Sequence, residues 1–323
     1  MDGCRLPKGM SETLLLHHLQ LNSLARAGAG GVATVTMTDI KYEAAFANWL
    51  KTASLSCTTP VVVAFDDPSH LWFRSRSVLA INMAQLRPKN YTTQRASLCA
   101  KTLIPKLLLD AGLRVVFSEM DVFWKRNPVQ LLENRSVDLQ VSGHSWQPEV
   151  NYGFWIAQPT TPMRLALSRL LTYVLSSHYV DCHDQKVFDF AVRGTFLDSH
   201  GRLDHTRLCF AHDWHNLPCN CNRIRRENAS LRTMVNLLRP ARSRMPLRWE
   251  YIALGAVTHH PVPQNASRTA VAAHIWTQVG SPRARIHEAQ RSGFWARDAD
   301  FEGGCNASAE GTTGLAELRG RRN

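Results

Sequence analysis

Gly112-Leu-Arg-Val-Val-Phe-Ser-Glu-Met-Asp-Val-Phe-Trp-Lys-Arg-Asn-Pro128 is the stretch on which the reading of the whole chain turns. Its apolar run, Val115-Val116-Phe117, is short, β-branched or aromatic, and bounded by Gly112, the pattern of a fully buried strand. The strand delivers Glu119 and Asp121 at its end, and carboxylates at i and i+2 of an extended segment share one face. Two such acids repel unless a cation lies between them, and hard oxygen ligands suit Mg²⁺ or Mn²⁺. Ligands of open α/β sheets bind at the carboxyl ends of strands. Glu119-Met120-Asp121 is therefore a candidate metal–diphosphate site, the alternative being a strand-end turn with solvated acids.

A second acid-x-acid triplet, Asp298-Ala299-Asp300, lies in a polar region and reads as solvated charge. Context separates the two: the first triplet follows a buried strand and precedes Val122-Phe123-Trp124 and a turn at Asn127-Pro128.

Val116 to Pro128 resembles the signature of the nucleotide-diphospho-sugar transferase family that includes plant and algal arabinosyl-, xylosyl- and galactosyltransferases acting on cell-wall glycans. There an Asp-x-Asp precedes an aromatic, a basic residue and Asn/Asp-Pro. This chain departs by carrying Glu119 for the first Asp, which keeps the charge but adds a methylene. The same departure argues against a phosphatase, whose strand-end Asp is itself the nucleophile. The resemblance implies an α/β fold of the GT-A type, Rossmann-like, with a mixed, mostly parallel central sheet flanked by helices. It also implies a metal-dependent glycosyltransferase with Mn²⁺ (or Mg²⁺), a UDP-sugar donor, and retention of anomeric configuration. The expected acceptor is a glycan, a cell-wall polysaccharide or a glycoprotein, and the expected location is the Golgi lumen.

Composition sets wide bounds. With 323 residues, 44% of them hydrophobic, the chain can bury one large α/β core or two small ones. The net charge of +12 fits an anionic ligand or polymer. No basic motif is interleaved with aromatics, so nucleic acid is not expected as a partner. Eight cysteines, with sequons beginning at Asn90, Asn134, Asn228, Asn265 and Asn306, suggest a secretory lumen. No run reaches the ~20 apolar residues of a membrane span. Leu14-Leu15-Leu16 is broken by His17-His18, and Ser11 to Ala27 reads as a surface helix. Membrane attachment is thus expected only through an anchor absent from this chain.

Along the chain, Gly28-Ala-Gly-Gly31 precedes a strand where a dinucleotide fingerprint would follow one, and reads as a flexible turn. Val32 to Met37 is the first strand and Asp39 to Thr52 the next helix; Thr38 and Asp39 are either nucleotide contacts or the helix cap. Pro60 to Phe65 is a second buried strand, ending in Asp66-Asp67-Pro68, with Asp66 or Asp67 capping the segment from Ser69. Ala96 to Asp110 keeps helical spacing, with Pro105 demanding a start near Thr102 or a kink. Lys101 on that helix matches a basic residue the family places near the pyrophosphate, or is a snorkelling surface lysine.

Val129 to Leu132 reads as a short helix and Val137 to Ser142 as a strand. In Asn151-Tyr-Gly-Phe-Trp-Ile-Ala157, a strand, Gly153 marks a close backbone approach. The family's Asn at this place holds a sugar hydroxyl, a role an amide suits as both donor and acceptor. After the helix Met163 to His178, Asp184-Gln185 aligns with the Asp-Gln beneath the transferred sugar, or Asp184 caps a helix. A carboxylate there steadies the oxocarbenium character left by a departing diphosphate. Val271 to Trp276 is a strand bringing His274 into the sheet, and His274 with Gly280 and Arg283 resembles the family's late His, Gly and Lys. On that resemblance His274 completes the metal shell and Arg283, or Arg285, replaces the Lys at the β-phosphate; Arg285 to Arg291 reads as the helix.

The expected metal ligands are thus Asp121, Glu119 and His274. Donor-binding residues are Glu119, Asp121, Lys101, Gly153, Gly280 and Arg283; Asp184, Gln185 and Asn151 do the chemistry. Cys209, His212, His215, Cys219 and Cys221 admit zinc but match no known zinc spacing, and a lumen favours disulfides. Three regions are expected: residues 1–30, a helix and flexible turn; 31–300, the transferase domain; and 301–323, a disordered basic tail. The rival reading is a catalytically inactive glycan- or polyanion-binding relative.

Overall fold

The computed structural model describes residues 31–56, 58–83, 93–133, 136–143, 150–176, 179, 184–193, 247–252, 257–259, 270–275 and 281–295. The expected N-terminal helix, the Cys209–Cys221 cluster, Gly280 and the tail lie outside them.

β1 (Val32–Thr38) is buried along its whole length, as a central parallel strand must be. The helix expected from Asp39 begins later. Asp39 caps a single 3-10 turn, Ile40–Tyr42, its carboxylate accepting from the Lys41 amide, and α1 (Glu43–Leu55) follows. β2 (Thr59–Ala64) leads to α2 (Asp67–Arg74), with Asp66 as cap and Pro68 in the first turn, and then to β3 (Leu79–Asn82). α3 (Thr93–Asp110) runs through Pro105 rather than starting after it. It closes at Gly112, φ +82°: the Gly112 amide donates to Leu109 and the Leu113 amide to Leu108, satisfying two carbonyls of the last turn.

β4 (Arg114–Ser118) and β5 (Val122–Trp124) flank the acid triplet, and a 3-10 segment, Pro128–Glu133, replaces the expected short helix. There follow β6 (Leu139–Gly143), β7 (Val150–Ala157), α4 (Thr161–Leu175) and α5 (Asp184–Arg193). The last elements are β8 (Trp249–Tyr251), β9 (Val257–His259), β10 (Ala272–His274) and α6 (Pro282–Arg291), capped by Ser281.

Seven strands form the central sheet in the order β3-β2-β1-β4-β7-β6-β8. β7 runs antiparallel to both β4 and β6, and the other neighbours are parallel. This is the expected GT-A type of arrangement, a mixed, mostly parallel sheet with helices on both faces. Ala33, Val35, Val115 and Phe117 face α3, α4 and α5, whereas Val32, Val62 and Val116 face α1, α2 and α6. The chain passes from β1 to one side of the sheet and returns with β4 on the other, so the carboxyl ends of β1 and β4 frame a crevice.

Two details set the site. Between Val141 and Ser142 of β6 the partner on β7 jumps from Trp155 to Asn151, a bulge that crowds Tyr152, Gly153 and Phe154 toward the end of β4. His274 enters through a separate three-stranded sheet, β5-β10-β9, and not the central one; its register opposite Val122 places it beside Asp121. Stacked aromatics hold α5 against β7: Tyr152 and Phe188 rings lie 3.9 Å apart, with Phe117 and Trp155 stacked at 5.2 Å.

Candidate active site

Five separate elements bring charge to the carboxyl end of β4. Glu119 and Asp121 stand on the turn between β4 and β5, which closes through the Val122 amide donating to the Glu119 carbonyl. Asp121 is buried to 7% exposure, as is His274 of β10. The imidazole Nε2 lies 3.5 Å from Asp121 Oδ1 and 3.9 Å from Glu119 Oε2.

Asn151, wholly buried, serves both neighbours. Its Oδ1 accepts from the Gly153 amide at 2.6 Å and its Nδ2 meets His274 Nδ1 at 2.9 Å, while the Gly153 carbonyl accepts from the Glu119 amide at 2.8 Å. Holding one imidazole nitrogen fixes the ring so that the other points at the acids. A side chain at Gly153 forces its neighbours to move: its Cβ would stand 2.7 Å from Glu119 Oε2, 2.9 Å from His274 Cε1 and 3.0 Å from Asn151 Oδ1.

Lys101 of α3, buried, donates to Glu119 Oε1 at 2.5 Å and to Asp184 Oδ2, and lies 5.0 Å over the Tyr152 ring. Burial disfavours its charge, but the Asp184 and Glu119 carboxylates reverse that and raise its pKa. It is thus a clamp joining the acid triplet to the first residue of α5. Asp184, first residue of α5, turns its other oxygen to the adjacent Gln185 amide at 2.8 Å while also facing Lys101.

Arg285 of α6 forms an ion pair with Asp121 Oδ2 and donates to the Tyr42 hydroxyl at 2.8 Å. Burial works to raise the Asp121 pKa, but the neighbouring His274 imidazole and Arg285 guanidinium outweigh it and hold the carboxyl below its usual range. Tyr42 is raised by burial and then by the Asp121 charge, so it stays a neutral hydroxyl.

The site fits a divalent cation. Glu119, Asp121 and His274 each offer one ligand atom, all within 4.8 Å of one another. Asp121 Oδ1 is buried yet accepts no hydrogen bond among the described residues, a costly state that a cation relieves. Two carboxylates and an imidazole offer a mixed oxygen and nitrogen donor set to such a cation.

Of the residues expected from sequence, Glu119, Asp121, His274, Asn151, Gly153, Lys101 and Asp184 converge. Gln185 is half-buried on the next position of α5, and Arg283 is exposed on α6 while Arg285 reaches the acids. Thr38 is buried and its hydroxyl donates to the Asp39 carbonyl. Tyr42 is the site residue that sequence does not single out; no periodicity marks an aromatic in a 3-10 turn as a partner for an arginine 243 positions later.

A sequence model of the nucleotide-diphospho-sugar transferase family matches residues 56–234, more than half of the chain. Among solved structures, the chain is similar to a glycosyltransferase involved in the glycosylation of the major capsid of PBCV-1: 10% identity over 79% of this chain and 99% of that one, TM-score 0.38. It is also similar to the apo form of the glycosyltransferase GlyE of Streptococcus pneumoniae TIGR4, at 11% identity over 82% of this chain and 64% of that one, TM-score 0.36. A second structure of GlyE gives 13% identity over 80% and 60%, TM-score 0.31. The chain spans less than two thirds of the GlyE chains. No curated protein matches it. Among the described residues no helix is long and apolar enough to cross a membrane.

Proposed function

The chain belongs to the nucleotide-diphospho-sugar transferase family, and from that membership we propose that it moves a sugar from a UDP-sugar to a glycan or glycoprotein acceptor, with a divalent cation and with retention. One observation carries the metal-dependent reading: at the switch point of the sheet, Asp121 presents a buried oxygen without a hydrogen-bond partner toward Glu119 and His274. Asp121, Glu119 and His274 would hold Mn²⁺ or Mg²⁺. When bound, the cation neutralises the diphosphate as it leaves.

The chain's own residues supply the rest. Asn151 orients His274 and braces β7 at Gly153. Lys101 fixes Asp184 through an ion pair, so a carboxylate stands ready where positive character develops on the anomeric carbon. In the transfer, the bond from that carbon to the diphosphate oxygen breaks and the bond to the acceptor oxygen forms on the same face. The acceptor proton leaves with the diphosphate.

An oxidising lumen, such as the expected Golgi lumen, is supported by Cys99, which is buried in α3 and disulfide-bonded. A second reading, a relative that binds donor without turnover, draws on one feature: Lys101 and Arg285 already occupy oxygens of both acids of the triplet. The deciding experiment is thermal stabilisation by UDP with and without Mn²⁺, on wild type and Asp121→Ala, followed by transfer assays with a panel of UDP-sugars. A metal-dependent shift lost in Asp121→Ala, with transfer, supports the enzyme. Binding without transfer supports the inactive relative, and no shift at millimolar UDP rejects the donor site.

A further inference from the structure

Arg285 stands where a cation is wanted, yet it is not itself satisfied there. One guanidinium nitrogen is committed to Asp121 Oδ2 and the Tyr42 hydroxyl, while its Nε is buried without an acceptor among the described residues. On the same ion pair, Asp121 Oδ1 is buried without a well-formed hydrogen bond, its nearest nitrogen being His274 Nε2 at 3.5 Å. An unspent donor and an unspent acceptor thus lie on the two partners of one ion pair. A bound metal alone answers only the second, and it does so beside a fixed positive charge.

We propose that Arg285 is the resident counter-cation of Asp121, that it competes with the metal, and that a bound diphosphate relieves the competition by giving the guanidinium an anion of its own. The inference rests on the donor-site reading above and adds a regulation to it: metal and donor bind cooperatively, and Arg285 carries part of the coupling. By linkage, whatever the donor does for metal affinity the metal does for donor affinity.

Lys101 cannot take this part. It is tied to two carboxylates at once, Glu119 and Asp184, so releasing it for an anion would break two ion pairs. Arg285 has one carboxylate and one neutral hydroxyl, is partly accessible, and has a planar fork of donors suited to phosphate oxygens. Tyr42 does not compete for the anion; it holds the guanidinium on the Asp121 side.

The test is calorimetric titration of Mn²⁺ into the full chain with and without UDP, for wild type, Arg285→Gln and Tyr42→Phe. In wild type, UDP tightens Mn²⁺ binding. Arg285→Gln binds Mn²⁺ alone about tenfold more tightly than wild type, the worth of one charge-assisted hydrogen bond. UDP then adds less, by a similar factor. Tyr42→Phe changes Mn²⁺ affinity in the same direction by a smaller factor, and it decides the matter alone where Arg285→Gln does not fold. An Arg285 that merely tethers α6 would lower the melting temperature on substitution without raising metal affinity, and that result overturns the proposal. If wild type couples Mn²⁺ and UDP while neither variant binds Mn²⁺ more tightly, the counter-cation fails and the donor site stands. If UDP has no effect on wild type, both fall.

Discussion

Two glycines on the same stretch of architecture should fail in opposite ways when given a methyl group. At Gly153 the backbone is not in the left-handed region, so Gly153→Ala brings no φ penalty; its cost is collision, with Glu119 Oε2 2.7 Å away and His274 Cε1 2.9 Å away. The Glu119 side chain is 29% exposed and can swing outward, but His274 is packed and held by Asn151. The yielding group is therefore the metal ligand Glu119, together with its contact to Lys101. Overpacking of this kind costs about 1–3 kcal/mol, and loss of one ligand from three should weaken Mn²⁺-dependent UDP binding by at least about tenfold. At Gly112 nothing lies within 4 Å, but φ is +82°. Gly112→Ala therefore costs about 1–2 kcal/mol in backbone strain and leaves the ligands untouched, because Gly112 precedes β4 and the acids follow it. Urea unfolding and UDP/Mn²⁺ thermal shifts on both variants give the comparison. If Gly153→Ala keeps wild-type Mn²⁺-dependent stabilisation, or if Gly112→Ala loses it, the reasoning about the bulge is refuted.

Other expectations concern the supports of the site. Lys101→Met leaves Glu119 and Asp184 facing each other without their cation and should cost about 3 kcal/mol, the low end for breaking a buried pair since both acids keep some solvent; chemical denaturation measures it. Asp66 accepts from the Ser69 and Ile40 amides, and these bonds outweigh burial to lower its pKa from 3.8. A lowered carboxyl stabilises above its unfolded value and loses that contribution as pH falls through the folded value, so the ~1 kcal/mol cost of Asp66→Ala should be present at pH 7 and begin to shrink only as pH falls below about 3.8. Cys99 should resist alkylation in denatured, unreduced protein and be labelled after reduction, as peptide mass mapping would show.

The strands at the centre of the sheet are legible in the sequence because β1, β2 and β4 are short apolar runs whose neighbours are turn residues, a purely local signal. The acids at the end of β4 are visible for the same reason. Phase and partnership are what a linear reading withholds. Arg283 and Arg285 sit two positions apart on one helix, pointing away from each other, and the charge pattern does not say which faces inward. Pro105 reads as a boundary, yet α3 continues through it, its packing against β4 and α4 outweighing one missing amide. Lys101 reads toward a phosphate, but its two carboxylate partners are 18 and 83 positions away, a pairing that exists only in three dimensions.

The separate sheet that carries His274 has a consequence for the time at which the site comes into being. During synthesis β4 and its acid triplet leave the ribosome long before β10 and α6, and at ordinary elongation rates the interval is roughly ten to thirty seconds. Over that interval Lys101 is already present to accompany Glu119, whereas Asp121 has neither His274 nor Arg285. A nascent chain stopped after Tyr251 would include all seven strands of the central sheet and only two of the three ligating side chains. On the metal-dependent reading proposed above, the cation site is complete only once β10 has been laid down.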